Sequence, residues 1–148
     1  MTHLEPRFEL PIPAGPNLVT VRGLEQIEAT IRSLQNDRAI SIEDTAIAAI
    51  KRDLRYWQAR QITAQVPPLA DGSTVEFGVT VHLLLHGQSK SFQLVGDDEA
   101  DPASGMVSFK SPLSRAILGA AVGDVLSFGD REEAIEIVAI EAPSPRAG

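Results

Sequence analysis

The chain has 148 residues, of which 43% are hydrophobic and 22% are charged, and it contains no cysteine. This is the balance of a folded protein, and the lack of cysteine excludes disulfide scaffolds, thiol catalysis and ordinary zinc fingers. No apolar run approaches the roughly 18 to 20 residues of a membrane span. The N-terminus also lacks the basic start and apolar stretch of a secretory signal. We therefore expect a cytoplasmic protein with no membrane partner.

The net charge of −7 is confined to the second half of the chain. Residues 1–70 hold eight Lys or Arg and eight Asp or Glu, whereas residues 71–148 hold five and twelve. Phosphate neutralisation requires clustered Lys and Arg, so an acidic half is a poor ligand for nucleic acid. We expect no strong direct nucleic-acid binding and favour a protein partner with a basic face.

The first part of the chain has a segment rich in helix-breaking residues, followed by two segments with helical periodicity. Residues 1–18 are rich in proline and predict an extended arm, or a disordered segment that pairs with a sheet edge. Apolar residues then recur at spacings of 3, 4 and 3 in two separate stripes. The stripes are Leu24, Ile27, Ile31, Leu34 and Ile47, Ile50, Leu54, Trp57.

The two stripes predict two helices that bury themselves against each other. Thr20 is placed to cap the first helix, and Ser41 with Asp44 resembles a capping box for the second. A short loop joins the stripes, which favours an antiparallel helical hairpin, or coiled coil, over residues 19–67. Two core helices of a compact bundle are the alternative.

After residue 72 the apolar period falls to two, which is typical of strands. A first strand is predicted to begin near Thr74, and a hairpin near the end of the chain comes before a flexible tail, residues 143–148. Ser111 and Pro112 have the residue types of an N-cap and a first helical position, so they predict a short helix. The fold class is therefore α+β: an N-terminal antiparallel helical hairpin followed by a roughly five-stranded antiparallel sheet with one short helix.

The residues alone suggest no catalytic chemistry. Carboxylates at positions 97, 98, 99 and 101 form a dense acidic run, but calcium-loop spacing is absent and a solvated acidic turn is favoured. His82 and His86 lack an evident third metal ligand. No nucleophile motif or phosphate loop is present. We therefore expect no catalytic residue, no metal and no cofactor.

Three further carboxylates, Asp37, Glu43 and Asp44, surround the loop between the two predicted helices. Acidic groups on a protruding tip can bind a metal in the active site of a partner. Glu43 and Asp44 also fall in the first turn of the second helix, where the helix dipole favours negative charge. On the residues alone, we favour the capping interpretation.

The second half of the sequence resembles the C-terminal domain of the bacterial Gre transcription elongation factors over residues 73–142. The resemblance lies in the segments VEFGVTV (75–81), FQLVGDDEADP (92–102), VSFKSPLSRAILG (107–119) and VGDV (122–125). Upstream, VTVRGL (19–24) resembles the start of the Gre coiled coil. The order and spacing of these segments make the match specific.

This resemblance implies an FKBP-like fold for residues 73–142 and docking on RNA polymerase at the outer rim of its secondary channel. The implied docking residues are Lys110, Ser111 and Pro112, together with Asp101 and Pro102. In the family, the coiled coil points into the channel. An acidic pair at its tip lends a carboxylate to a catalytic magnesium and stimulates cleavage of backtracked RNA.

The tip departs from the family pattern. The usual Gly-Asp and Glu-Asn motif is absent, and each helical arm looks shorter by on the order of ten residues, or about 15 Å. These proportions resemble the regulator of nucleoside diphosphate kinase, a relative with a truncated coiled coil. We therefore expect an RNA-polymerase-binding regulator of elongation that is not an enzyme, does not cleave transcripts and competes with other secondary-channel factors.

Two alternatives remain. One is an active Gre-type cleavage factor in which Asp37, Glu43 and Asp44 form an unorthodox acidic tip. The other is an interaction module for a different protein, with the hairpin as a dimerisation surface.

Overall fold

The computed structural model describes residues 9–143, so residues 1–8 of the predicted arm and 144–148 of the predicted tail lie outside the described range. The chain divides into two compact units. Unit 1 contains Leu24–Gln65 and the described part of Met1–Asn17, and unit 2 contains Leu18–Gly23 and the described part of Val66–Gly148. The domain boundaries expected from the sequence stay predictions.

Unit 1 contains most of two helices, α1 (Val21–Ile40) and α2 (Asp44–Thr63), which residues 41–43 connect into a helical hairpin. Ile27 and Ile31 of the first predicted stripe are buried. Each helix has 20 residues and is therefore about 30 Å long. Within the described residues, no helix combines the length and apolar character needed to cross a lipid bilayer.

The predicted capping box at the start of α2 is wrong. The Ser41 hydroxyl donates to the carbonyl of Asp37 at 2.6 Å, and the Ser41 N–H donates to the same oxygen at 3.0 Å. Serine side chains compete for backbone carbonyls four residues earlier, so Ser41 completes the end of α1. The N-cap position of α2 belongs to Glu43, whose side chain makes no capping hydrogen bond.

The described part of the arm contacts α2 within unit 1. Glu9 accepts hydrogen bonds from Nε of Arg55 at 2.7 and 2.8 Å. The buried Asn17 side chain donates to the Arg60 carbonyl at 2.8 Å and accepts from the Arg60 guanidinium at 2.8 Å. The Gln65 N–H donates to the Asn17 carbonyl at 2.9 Å. Residues 9–17 are therefore fastened to the C-terminal half of α2.

Unit 2 is built on a five-stranded sheet whose strand order is β3-β2-β1-β5-β4. The strands are β1 (Thr80–Leu85), β2 (Gln88–Val95), β3 (Met106–Ser108), β4 (Val125–Phe128) and β5 (Arg131–Glu141). Every pair is antiparallel except β2 and β3, which are parallel. Residues 96–105 carry the chain back along β2 before β3 begins, because two parallel strands must start at the same end of the sheet. The sheet is therefore mixed, so the prediction of a wholly antiparallel sheet is wrong at β3, whereas the predicted α+β class is confirmed.

The first strand begins at Thr80, later than the alternating pattern predicts. Gly78 has a φ of 93°, a left-handed conformation suited to glycine, and the Val79 N–H bonds to the Glu76 carbonyl. This turn interrupts the strand pattern. Val75 is nevertheless buried. Its backbone N–H and carbonyl form hydrogen bonds of 2.8 Å with residues 119–120.

The core of unit 2 lies between one face of the sheet and the short helix α3 (Pro112–Ile117). It is formed by apolar side chains of the three central strands and α3, namely Val81, Leu83, Phe92, Leu94, Ile117, Ile135 and Ile137. Along β5 the burial changes sharply between neighbours, because Ile137 is fully buried and Val138 is 48% exposed.

This contrast predicts the effect of two matched truncations. Ile137→Ala removes side-chain contacts from the core and should lower the free energy of unfolding by about 2–5 kcal/mol. Val138→Ala, one residue away on the same strand, should change it by less than about 1 kcal/mol. Urea unfolding followed by circular dichroism measures both. Equal losses would show that the strand register is wrong.

The Glu9–Arg55 contact predicts a pH dependence for the arm. The hydrogen bond from the Arg55 guanidinium holds the pKa of Glu9 below its ordinary value. The contact therefore contributes stability above the unfolded-state pKa and loses it as the pH falls through the lowered pKa. An NMR titration should show a lower Glu9 midpoint in the wild type than in Arg55→Gln. Arg38→Gln, an exposed change on α1, should leave the midpoint unchanged, and equal midpoints in all three proteins would exclude the contact.

Candidate functional site

The predicted docking residues flank the edge strand β3. Asp101 and Pro102 precede this strand, and Lys110, Ser111 and Pro112 follow it. The backbone of Asp101 is hydrogen-bonded to that of Met106 in both directions, at 2.7 and 3.1 Å. The two predicted groups are therefore attached to the two ends of one short strand.

Lys110 is held by a carboxylate that the sequence analysis assigned to a solvated acidic turn. Its Nζ lies 2.8 Å from Oδ2 of Asp97 and 5.5 Å from the ring centroid of Phe109. The Ser108 hydroxyl donates to Oδ1 of the same aspartate at 2.8 Å. Charge-assisted contacts of this kind order a long side chain. The lysine side chain is 27% exposed, so part of it remains accessible beside β3.

Ser111 and Pro112 confirm the predicted start of the short helix. Ser111 is the N-cap of α3, where its hydroxyl accepts from the Ser114 N–H at 3.2 Å. Pro112 occupies the first turn and is exposed. The serine hydroxyl is therefore used by the fold, whereas the proline ring is left at the surface. That these residues bind a partner stays a prediction.

The acidic run is not the solvated turn that the sequence suggested. Glu99 is 7% exposed, and its carboxylate accepts hydrogen bonds from Thr20 and Arg22. Asp97 contacts Ser108 and Lys110. Asp97 and Glu99 find different donors far away in sequence, which a local pattern cannot reveal. Asp101, in contrast, is exposed and accepts a hydrogen bond from the nearby Ser104 hydroxyl. Among residues 9–143, no group of His, Cys, Asp and Glu side chains is arranged to bind a metal ion.

The tip of the helical hairpin is exposed. Asp37, Glu43 and Asp44 all lie at the surface, and Ile40 and Ile42 between them are 79% and 92% exposed. Glu43 is the N-cap residue of α2 and Asp44 lies in its first turn, where the helix dipole favours negative charge, although the Glu43 side chain makes no capping hydrogen bond. The three carboxylates are accessible, but they do not form a metal site by themselves.

His82 has a partner that the sequence did not indicate. Its Nδ1 lies 2.6 Å from the Ser91 hydroxyl, and its Nε2 contacts the Glu141 carboxylate. These residues come from β1, β2 and β5, so strand pairing brings them together. His86 lies in the turn after β1 with a φ of 50°, and the two histidines form no joint metal site.

A family model described as "Transcription elongation factor, GreA/GreB, C-term" matches residues 70–142. This range contains the sheet, α3 and all five predicted docking residues. Transcription elongation factor GreA of Methylobacterium nodulans is 47% identical over 133 residues, covering 73% of this chain and 84% of the relative. That of Thioalkalivibrio sulfidiphilus is 33% identical over 153 residues, covering 83% of this chain and 96% of the relative.

A solved structure, GreA factor homolog 1 (Gfh1) of Thermus thermophilus, is 21% identical in sequence. The match covers 86% of this chain and 99% of the Gfh1 chain. The TM-score is 0.39, which is too low to support a structural conclusion. The similarity therefore rests on the sequence matches.

These relatives correct one expectation from the sequence. The conclusion that the chain is not an enzyme is contradicted, because the relatives that cover most of its length are named transcription elongation factor GreA. Stimulated RNA cleavage is the activity that the Gre resemblance implied. The argument from a shortened hairpin does not outweigh these matches, and the conclusion is withdrawn.

Proposed function

Because the chain belongs to the GreA/GreB family of transcription elongation factors, we propose that it binds RNA polymerase through unit 2 at the outer rim of the secondary channel. The helical hairpin enters the channel in this proposal. The protein acts in the cytoplasm, where it competes with other factors for the same site. The observation that carries the proposal is the ordered group around β3, which lies within the family match.

The residues around β3 have the properties of a prepared binding surface. Lys110 offers a positive charge whose position Asp97 restrains at 2.8 Å, and Pro112 offers an exposed rigid ring. Groups that are already ordered lose little conformational entropy on binding. Asp101 and Pro102 are exposed at the other end of β3. A partner that covers β3 would contact both pairs.

A second function, stimulation of transcript cleavage, is favoured by the exposed carboxylates at the hairpin tip. Asp37, Glu43 and Asp44 are accessible, and the Glu43 side chain is not used as a helix cap. Carboxylate oxygens are ligands that magnesium prefers. The tip does not hold a metal alone, so it can only add a ligand to a cation that the partner holds.

Docking through the β3 surface is tested by removing the positive charge of Lys110 and the ring of Pro112. Lys110→Ala with Pro112→Ala should weaken binding to core RNA polymerase at least about tenfold, because a few residues of an interface carry most of its binding energy. Isothermal titration calorimetry measures the affinity. Ser111 is left unchanged so that the N-cap of α3 is kept.

The matched control changes Glu132 to Ala at the opposite side of the sheet, in β5. This variant should bind the polymerase as tightly as the wild type. Equal affinity of the Lys110→Ala, Pro112→Ala double variant and the wild type would remove this surface from the proposal. If the wild type does not bind at all, RNA polymerase is excluded as the partner.

Cleavage is tested with a backtracked elongation complex that carries end-labelled RNA. If the tip carboxylates take part, shortened RNA should appear with the wild type and be reduced about a hundredfold or more with the combined Asp37→Ala, Glu43→Ala, Asp44→Ala variant. The charge-matched control changes Glu25, Glu132 and Glu136 to Ala, all of them exposed away from the tip. Equal cleavage by the two triple variants would exclude the tip, and no cleavage with the wild type would exclude the second function.

A further inference from the structure

A surface pocket of about 410 Å³ lies where the chain approaches the sheet of unit 2. It is lined by residues 67–71, Glu76 and Phe77, all of which belong to unit 2. A volume of this size is typical of sites that receive a ligand. The lining combines apolar groups with two carboxylates, so its chemistry restricts what the pocket binds.

The apolar part of the pocket is formed by Pro67, Pro68, Leu69 and Phe77. Leu69 is 47% exposed and Phe77 is half-buried. Proline rings lose no side-chain entropy when they are covered, and an exposed leucine is stabilised by contact with an apolar partner. This part of the pocket therefore favours the hydrocarbon portion of a bound side chain.

Two local turns place the carboxylates of the pocket. Oδ1 of Asp71 accepts the Ser73 hydroxyl at 2.6 Å and the Ser73 N–H at 2.9 Å. These hydrogen bonds hold the pKa of Asp71 below its ordinary value, so this carboxyl is ionised at neutral pH. Glu76 begins the second turn, in which its carbonyl accepts the Val79 N–H. Both acidic side chains are exposed and accessible to a cation.

The charge of the pocket points to an organic cation. Residues 71–148 hold five Lys or Arg against twelve Asp or Glu, which attracts positive groups. Among residues 9–143, no acidic or histidine side chains are grouped as a metal site requires. An arginine side chain has a hydrocarbon stem for the apolar wall. Its planar guanidinium binds carboxylates, stacks on aromatic rings and is less strongly hydrated than the lysine ammonium.

The pocket is joined to the proposed docking surface by two aromatic rings. Phe77, in the pocket wall, meets Phe109 edge-on with the ring centroids 5.4 Å apart. Nζ of Lys110 lies 5.5 Å from the centroid of the Phe109 ring. A negatively charged pocket therefore lies next to a restrained positive charge. Such a pattern selects a partner that presents the opposite charges in the same order.

We infer that this pocket binds an arginine side chain presented by the protein partner of unit 2. The identification of that partner as RNA polymerase rests on the proposed function, whereas the chemistry of the pocket does not. The arginine stem covers Leu69 and the proline rings. Its guanidinium meets the carboxylates of Asp71 and Glu76 beside the Phe77 ring.

Pocket chemistry is tested with the peptide acetyl-Gly-Arg-Gly-amide, titrated into the isotope-labelled full chain and followed by NMR. The peptide should cause saturable shifts of the backbone amides of Leu69, Glu76 and Phe77. The same peptide with citrulline in place of arginine keeps the shape and lacks the charge, so it should bind at least about tenfold more weakly. Equal binding of the two peptides, or shifts confined to other residues, would overturn the inference.

The pocket carboxylates are tested with Asp71→Asn combined with Glu76→Gln. These changes remove both charges and keep the side-chain shapes, and asparagine also forms turns of the Asp71 type. The arginine peptide should bind this variant at least about tenfold more weakly than the wild type. The charge-matched control combines Glu132→Gln with Glu136→Gln, both exposed on β5, and should bind like the wild type. An equal effect of the two double variants would overturn the inference.

Polymerase binding separates this inference from the proposed function. In calorimetry, the Asp71→Asn, Glu76→Gln variant should bind core RNA polymerase at least about fivefold more weakly than the control double variant. Equal polymerase affinities would overturn the inference that the partner fills the pocket. A wild type that binds the arginine peptide but not the polymerase would refute the proposed function and support the pocket. A wild type that binds the polymerase but does not distinguish arginine from citrulline would refute the pocket alone.

Discussion

The burial of the Glu99 carboxylate is the constraint on which the arrangement of unit 2 depends. A charge that is 7% exposed must be met by donors, because an unpaired buried carboxylate is strongly destabilising. Thr20 and Arg22 supply those donors and bring segment 18–23 against the loop after β2. That loop returns the chain so that β3 lies parallel to β2. The loop that carries the buried Glu99 therefore contacts segment 18–23 and leads into β3, which pairs with β2.

Local chemistry was sufficient to predict the elements whose determinants lie within one turn or strand. The stripe that contains Ile27 and Ile31, the Thr20 cap and the Ser111–Pro112 helix start were all visible in the sequence. The start of β1 was not, because Gly78 adopts a left-handed conformation that an alternating pattern does not encode. The capping box failed because Ser41 has a competing acceptor in the preceding helix.

The candidate site shows the same limit at longer range. The resemblance placed Lys110 and Pro112 at a docking surface, but Asp97 and Glu99 looked like members of a solvated acidic run. Their partners Lys110 and Arg22 lie 13 and 77 residues away along the chain, so no local pattern pairs them. The conclusion that the chain is not an enzyme failed for a different reason. It inferred the lack of an activity from helix length and from the absent tip motif, whereas relatives at 33% and 47% identity that cover most of the chain bear more directly on function.

The central claim is that unit 2 docks on RNA polymerase through the surface around β3, and a cryo-electron microscopy structure of the complex tests it most directly. The protein would be bound to a backtracked elongation complex. We expect Lys110 and Pro112 to be covered by the polymerase at the rim of the secondary channel, with Glu99 still bonded to Thr20 and Arg22. A complex in which the β3 surface faces solvent while another face of unit 2 makes the contact would contradict the account.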